Sequence, residues 1–152
     1  MLSIDRPLSD NQLILLCNEM KERANIVIAD KEITFNESFK NSGHVIFWVP
    51  NGKQDVGHWV CAVRKPNNTC FFFDSFGRSP YHWHYLKKMF ENSKLRYVEY
   101  NKTKFQFNNS NVCGKYCLVV IALNKMGLTY KQIEDFFLHY QPCDYFLLQL
   151  FD

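Results

Sequence analysis

Cys113, followed by Gly114, stands where the polar loop Asn108-Asn109-Ser110-Asn111 gives way to the apolar run from Cys117 to Leu123. That junction predicts a helix N-terminus, with Ser110 or Asn111 as its cap and Gly127 ending the helix after Lys125. The first N–H groups of a helix lack partners within it and form the positive end of its dipole. A sulfur held there is favoured as thiolate, the form of cysteine that acts as a nucleophile. The chemistry expected of the chain is that of a cysteine hydrolase.

A thiol nucleophile needs a general base, and usually a third group to orient that base. His58 opens one predicted strand (His58 to Arg64) and Asp74 closes the next (Thr69 to Asp74), with Lys65-Pro66-Asn67-Asn68 as the turn between them. The two side chains share a sheet face only if paired residue numbers add to an even total. A total of 132 leaves Lys65, Pro66 and Asn67 as the loop, and 134 leaves Pro66, Asn67 and Asn68. The plainer reading makes His58 a capping residue and Asp74 a turn former before Gly77. Gln106, seven residues before Cys113, could join the Cys113 N–H as a donor to an oxyanion.

The other candidates are weaker. His44, at a strand entrance, is the rival base; His82 and His84 fit a surface, and His139 fits a helix C-terminus. Cys61 and Cys70 within strands and Cys117 inside a helix read as small apolar residues. Cys113 and Cys117 are four apart, but no other cysteine or histidine pair has a spacing to complete a metal site. Neither metal nor cofactor is expected.

These residues must be positioned by a folded core, and the composition provides for one. The chain has 152 residues, 47 % of them apolar and 16 % aromatic, including 14 phenylalanines, which excludes disorder and fits one domain over residues 1–152. No apolar run reaches membrane-spanning length, and Met1 to Lys21 lacks the features of a secretory signal. The six cysteines are therefore expected as reduced thiols in an intracellular protein.

Asp10 to Arg23, capped by Ser9, reads as a helix with Leu13, Leu16, Cys17 and Met20 on one face. Ala24 to Ala29 reads as a strand or extended segment, and Asp30 to Gly43 as a polar stretch. Val45 to Val49 is a buried strand stopped by Pro50-Asn51-Gly52. Pro80 to Asn92 has helical spacing, Leu95 to Tyr100 is a further strand, and Thr129 to Tyr140 an amphipathic helix. Cys143 to Phe151 is an aromatic-rich segment. The expected class is α+β, a mixed or antiparallel sheet packed on the buried helix that begins at Cys113.

The order Gly57-His58-Trp59-Val60, Asp74-Ser75-Phe76-Gly77, Gln106 and Asn111-Val112-Cys113-Gly114 resembles that of the adenain (adenovirus-type) viral cysteine endopeptidases and of the wider clan that includes SUMO-specific proteases. The resemblance spans roughly Val45 to Met126. It implies His58 as base, Asp74 as orienting acid, Gln106 as oxyanion donor and Cys113 as nucleophile. The adenovirus enzyme has glutamate where this chain has Asp74; SUMO proteases have aspartate.

The resemblance also implies a narrow cleft beside Gly57 and Trp59 that admits glycine. The expected substrate is a viral capsid or core precursor polypeptide, cut after a glycine-containing site during virion maturation. A monomer in the host cytoplasm or nucleus and in the virion is expected. Two rivals are an isopeptidase acting on ubiquitin-like modifiers and an inactive relative serving as a binding module. Activation by peptide through a disulfide has no counterpart thiol between Cys70 and Cys113. Net charge is +3, with Lys87, Lys88, Lys94, Arg96, Lys102 and Lys104 as the region that would meet DNA.

Overall fold

The computed structural model describes residues 10–50, 57–106 and 112–150. The expected caps Ser9, Ser110 and Asn111 and the Asn51-Gly52 turn lie outside the described residues. Helix α1 (Asp10–Arg23) leads into β1 (Asn25–Ile28), a single turn α2 (Phe35–Ser38), and the strands β2 (His44–Pro50), β3 (Gly57–Lys65) and β4 (Thr69–Phe73). A 3-10 turn (Pro80–His82) precedes α3 (His84–Glu91) and β5 (Tyr97–Tyr100). Helices α4 (Cys113–Lys125), α5 (Tyr130–His139) and α6 (Cys143–Leu150) follow. Among the described residues the strands form one sheet in the order β1-β2-β3-β4-β5. Its outer pairs are parallel and its inner pairs antiparallel. The architecture is α+β with a mixed sheet, as the sequence predicts.

The sheet is covered on both sides. Ile46, Cys61, Val63, Phe71 and Phe73 pack with residues of α1, α4, α5 and α6, while Val45, Phe47, Val49, Val60, Ala62, Cys70 and Phe72 pack with Trp83 and α3. A strand buried on both faces needs no polar alternation, which explains the continuous Cys70-Phe71-Phe72-Phe73. Full burial of each such ring contributes about 1.5–3 kcal/mol. Phe73 is central, with ring centres of Phe105, Tyr116 and Phe137 at 6.2, 6.2 and 5.3 Å. The apolar α4 is the spine of this layer: Tyr116, Cys117 and Val119 to Leu123 are all buried. It ends as expected after Lys125, with Gly127 at φ 97°.

Two stretches differ from the sequence reading. Asp30 to Gly43 contains α2, too short to show a period; its signal is Thr34, whose hydroxyl accepts the Glu37 N–H at 3.1 Å. The helical spacing from Pro80 to Asn92 is broken at Trp83, which is extended (φ −105°, ψ 135°). Its ring is 7 % exposed and turns inward against Phe72 and His58, a packing gain that outweighs helical continuity.

The hairpin register settles the parity question. Cys61 pairs with Phe73 and Lys65 with Thr69, so paired numbers add to 134 and Pro66, Asn67 and Asn68 form the loop. Asn67 and Asn68 sit at φ 63° and 56°, a region asparagine tolerates better than most residues. Beyond β4 the chain turns through Asp74 to Gly77, where the Gly77 N–H donates to the Asp74 carbonyl at 2.8 Å. Gly77 has φ 76°, and a Cβ there would lie 2.9 Å from the carbonyl oxygens of Lys102 and Thr103. Gly77→Ala is expected to lower stability by about 1–3 kcal/mol in urea unfolding. Gly43→Ala, where nothing lies within 4 Å of the added carbon, should stay within about 0.5 kcal/mol of wild type.

Candidate active site

The turn after β4 delivers Asp74 to the mouth of the sheet with no exposed surface. A buried carboxylate is tolerated only when donors surround it. Here Oδ1 accepts from His58 Nε2 at 2.6 Å and from the Phe76 N–H at 3.2 Å, and Oδ2 accepts from the Arg78 N–H at 3.0 Å and Arg78 Nε at 2.8 Å. Burial pushes the Asp74 pKa up, but the hydrogen bonds and charges of His58 and Arg78 outweigh it, and the group lies below its ordinary 3.8. The backbone of Asp74 is clamped as well. Its N–H donates to Asn101 Oδ1 at 3.1 Å, and Asn101 Nδ2 donates to its carbonyl at 2.5 Å.

Because a carboxylate only accepts, His58 Nε2 carries the proton in that pair and Nδ1 is the nitrogen left for the thiol. His58 is 3 % exposed, flanked by Phe76 (ring centres 5.0 Å apart) and Trp83 (6.4 Å). Burial disfavours its charged form, yet hydrogen bonding to Asp74 and Cys113 and the charges of both raise its pKa above 6.5.

Cys113 is the first residue of α4 and the one cysteine of the six that is not fully buried. Its Sγ accepts the Trp59 N–H at 3.4 Å. Burial raises its pKa, but hydrogen bonding to His58, the Trp59 and Gly114 N–H groups and the His58 charge bring it below 9.0. By contrast, burial pushes Cys17, Cys70 and Cys143 up to about 12. The two directions, Cys113 down and His58 up, favour transfer of the thiol proton to the imidazole. The cap of α4 is Val112, with no side-chain capping bond, and the Gly114 N–H of its first turn is one of the groups that favour the thiolate.

Gln106 is buried beside the acid. The N–H groups of Phe105 and Gln106 donate to the Ser75 carbonyl at 2.8 and 3.1 Å, and the Ser75 hydroxyl donates to Gln106 Oε1. With the amide oxygen so engaged, the donors Gln106 can offer are those of its NH2 group. Gly57 and Trp59 flank His58 on β3. A Cβ on Gly57 would lie 1.7 Å from the Trp48 indole, so that ring lies directly across the glycine. Trp59 rests on Gly114, where a Cβ would stand at 3.6 Å, ordinary contact.

The structure thus brings His58, Asp74, Cys113 and Trp59 together. The rival base His44 lies at the far end of β2, five residues from Val49, the partner of His58 in the β2–β3 register, which is about 17 Å along a strand. It faces Asn124, not Cys113. Sequence reasoning missed Arg78, Asn101, Ser75 and Trp48; none has a spacing that announces it, and only the Asp-Ser-Phe-Gly turn hinted that neighbours would matter. Of the basic region, Lys88 pairs with Glu32 at 2.8 Å, while Lys102 and Lys104 lie over the rings of Tyr100 and Phe76. Among the described residues no group of three or more His, Cys, Asp or Glu could hold a metal ion, and no helix is long and apolar enough to cross a membrane.

A thiol paired with an imidazole that a carboxylate holds has the composition of a nucleophilic acyl-transfer centre. No protein-family model matches the chain. It is similar to protein V9 of Sputnik virophage, described as uncharacterized, at 25 % identity over 112 residues, covering 59 % of this chain and 62 % of V9. It is also similar to the crystal structure of the ASFV pS273R protease, with a TM-score of 0.47 and 12 % identity, over 77 % of this chain and 58 % of that one. The chain spans less than two thirds of the length of either protein.

Since the Asp74 pKa is lowered, its stabilisation is complete above the ordinary value of 3.8 and is lost as pH falls through the lower folded value. Urea midpoints measured from about pH 6 down to pH 2 should fall more steeply for wild type than for Asp74→Asn, which has no such proton to take up. Gly57→Ala should alter tryptophan emission by displacing Trp48, whereas Gly114→Ala should leave it unchanged.

Proposed function

We propose that this protein is a cysteine endopeptidase of the kind the adenain and SUMO-protease clan exemplifies. The observation that carries the reading is a buried His58 held by Asp74 at 2.6 Å, with the Cys113 sulfur, at the start of a buried helix, accepting the N–H of the adjacent Trp59 at 3.4 Å. Cys113 is the nucleophile, His58 the base and then the acid, and Asp74 the group that fixes the ring. His58 Nδ1 takes the thiol proton, the sulfur attacks the scissile carbonyl, and the oxyanion is met by the Cys113 N–H and the Gln106 amide. His58 returns the proton to the leaving amine, and water then hydrolyses the thioester.

The substrate we assign is a viral capsid or core precursor polypeptide, cut after a glycine-containing site during particle maturation. The virophage relative supports a viral setting. The Trp48 ring across Gly57 and the Trp59 ring beside Gly114 support a wall that a substrate side chain would strike. DNA or a peptide as activator is part of the same reading, with Lys104, over the Phe76 ring, and Lys102, over that of Tyr100, among the cations DNA would meet.

Turnover of peptides with glycine, alanine or leucine at the cleavage position tests it. Glycine should be preferred by about tenfold or more, and equal turnover would remove the wall. Cys113→Ala should abolish activity, and His58→Ala should lower kcat by about 10²–10⁴. Gln106→Ala should cost about 10²–10³, and Asp74→Ala should cost less than His58→Ala. Normal activity in Cys113→Ala overturns the assignment. Covalent capture by a ubiquitin-like C-terminal probe, without cleavage of glycine peptides, would favour an isopeptidase.

A further inference from the structure

Arg78 touches the acid that touches the base. Its backbone N–H and its Nε donate to the same oxygen, Asp74 Oδ2, at 3.0 and 2.8 Å, while Oδ1 is turned to His58 Nε2. The guanidinium is itself gripped by rings, with Cζ 4.8 Å from the Trp83 ring centre and 5.1 Å from that of Phe76. Those two rings also flank the His58 imidazole. One pair of aromatic side chains therefore aligns both cationic partners of one buried carboxylate. A planar guanidinium suits such stacking, which an ammonium cannot reproduce.

We propose that Arg78 is a positioning residue for the thiol–imidazole pair, fixing the Asp74 carboxylate in one orientation and keeping it ionised into acid. The inference rests on the reading of Cys113 as nucleophile and deepens it. Sulfur, imidazole, carboxylate and guanidinium form a row of alternating charge, and Arg78 closes it at the end away from Cys113. With Arg78 replaced by a neutral side chain, Asp74 keeps its backbone donors and His58 but loses its one permanent cation. A fully buried carboxyl in that position takes up a proton at higher pH. Once neutral, it stops supporting the imidazolium, and the thiolate is lost with it. The charged or titratable groups around Asp74 are His58 from β3, Arg78 from its own turn, and Cys113 and Cys117 from α4; Lys104 lies over Phe76.

The test needs no substrate. Alkylation of Cys113 by iodoacetamide is followed by mass spectrometry from about pH 4 to pH 9, with Cys113→Ala as the blank, and reports thiolate directly. Arg78→Gln should alkylate within about twofold of wild type at neutral pH. It should fall about tenfold below wild type near pH 5, as the acid limb moves up by about one pH unit. Arg78→Lys, which keeps a cation but not the stacked fork, should lie between them. In an Asp74→Asn background, Arg78→Gln should shift nothing further, because the carboxyl through which Arg78 acts is gone.

A purely structural Arg78 would lower the melting temperature and leave the acid limb where it is; superimposed profiles overturn the proposal. If Arg78→Gln does not fold, a wild-type profile in Arg78→Lys overturns it equally. A wild-type Cys113 that alkylates like an ordinary free thiol at every pH would instead sink the nucleophile assignment itself. Fast wild-type alkylation with unmoved variants sinks only the role of Arg78.

Discussion

Removing a carboxylate from water costs several kcal/mol unless its lone pairs are met by donors held in place. Asp74 is completely buried, and much of the surrounding structure can be understood as the means of meeting that cost. The turn to Gly77 aims the Phe76 and Arg78 N–H groups inward, Asn101 ties the backbone on both sides of the residue, and β3 supplies His58. A carboxylate satisfied in this way is fixed, and a fixed carboxylate fixes the imidazole. The geometry at Cys113 is thus set by the solvation of an atom group that the thiol never touches.

The hairpin was legible because its turn residues and its strand lengths constrain each other. Pro66, Asn67 and Asn68 leave few loop lengths, and only an even register unites His58 with Asp74. Helix α4 was legible from an unbroken apolar run and a terminal glycine. Arg78 and Asn101 were not, since their roles depend on reach across the fold: Asn101 meets Asp74 from 27 residues away and shows no period or motif. Helix α6 read only as an aromatic-rich segment because Tyr145 and Leu148 are exposed beside buried Cys143 and Leu147, which blurs the stripe that marks an amphipathic helix. Trp83 escaped for the opposite reason. Local spacing favoured helix there, and a tertiary pocket won.

Glycine at position 57 has a packing reason as well as the access reason inferred from the sequence. The Trp48 indole occupies the volume where a side chain would begin, so the backbone of β3 lies flush with an aromatic surface beside His58. The β2–β3 pairing runs to Pro50 opposite Gly57, so the contact sits at the end of the ladder. Packing and access are here two readings of one ring.

The members of the site differ in how far apart they lie along the chain. His58 and Asp74 are 16 residues apart within one hairpin, whereas the contact from Trp59 to the sulfur closes a span of 54. Local pairings form at small entropic cost and distant ones require the intervening chain to be ordered first. Before α4 docks on the sheet, Cys113 is an unremarkable thiol with neither imidazole nor oriented amides beside it. If Cys113 is the nucleophile proposed above, its reactivity arises only in the completed tertiary structure, and the nascent chain carries no premature nucleophile.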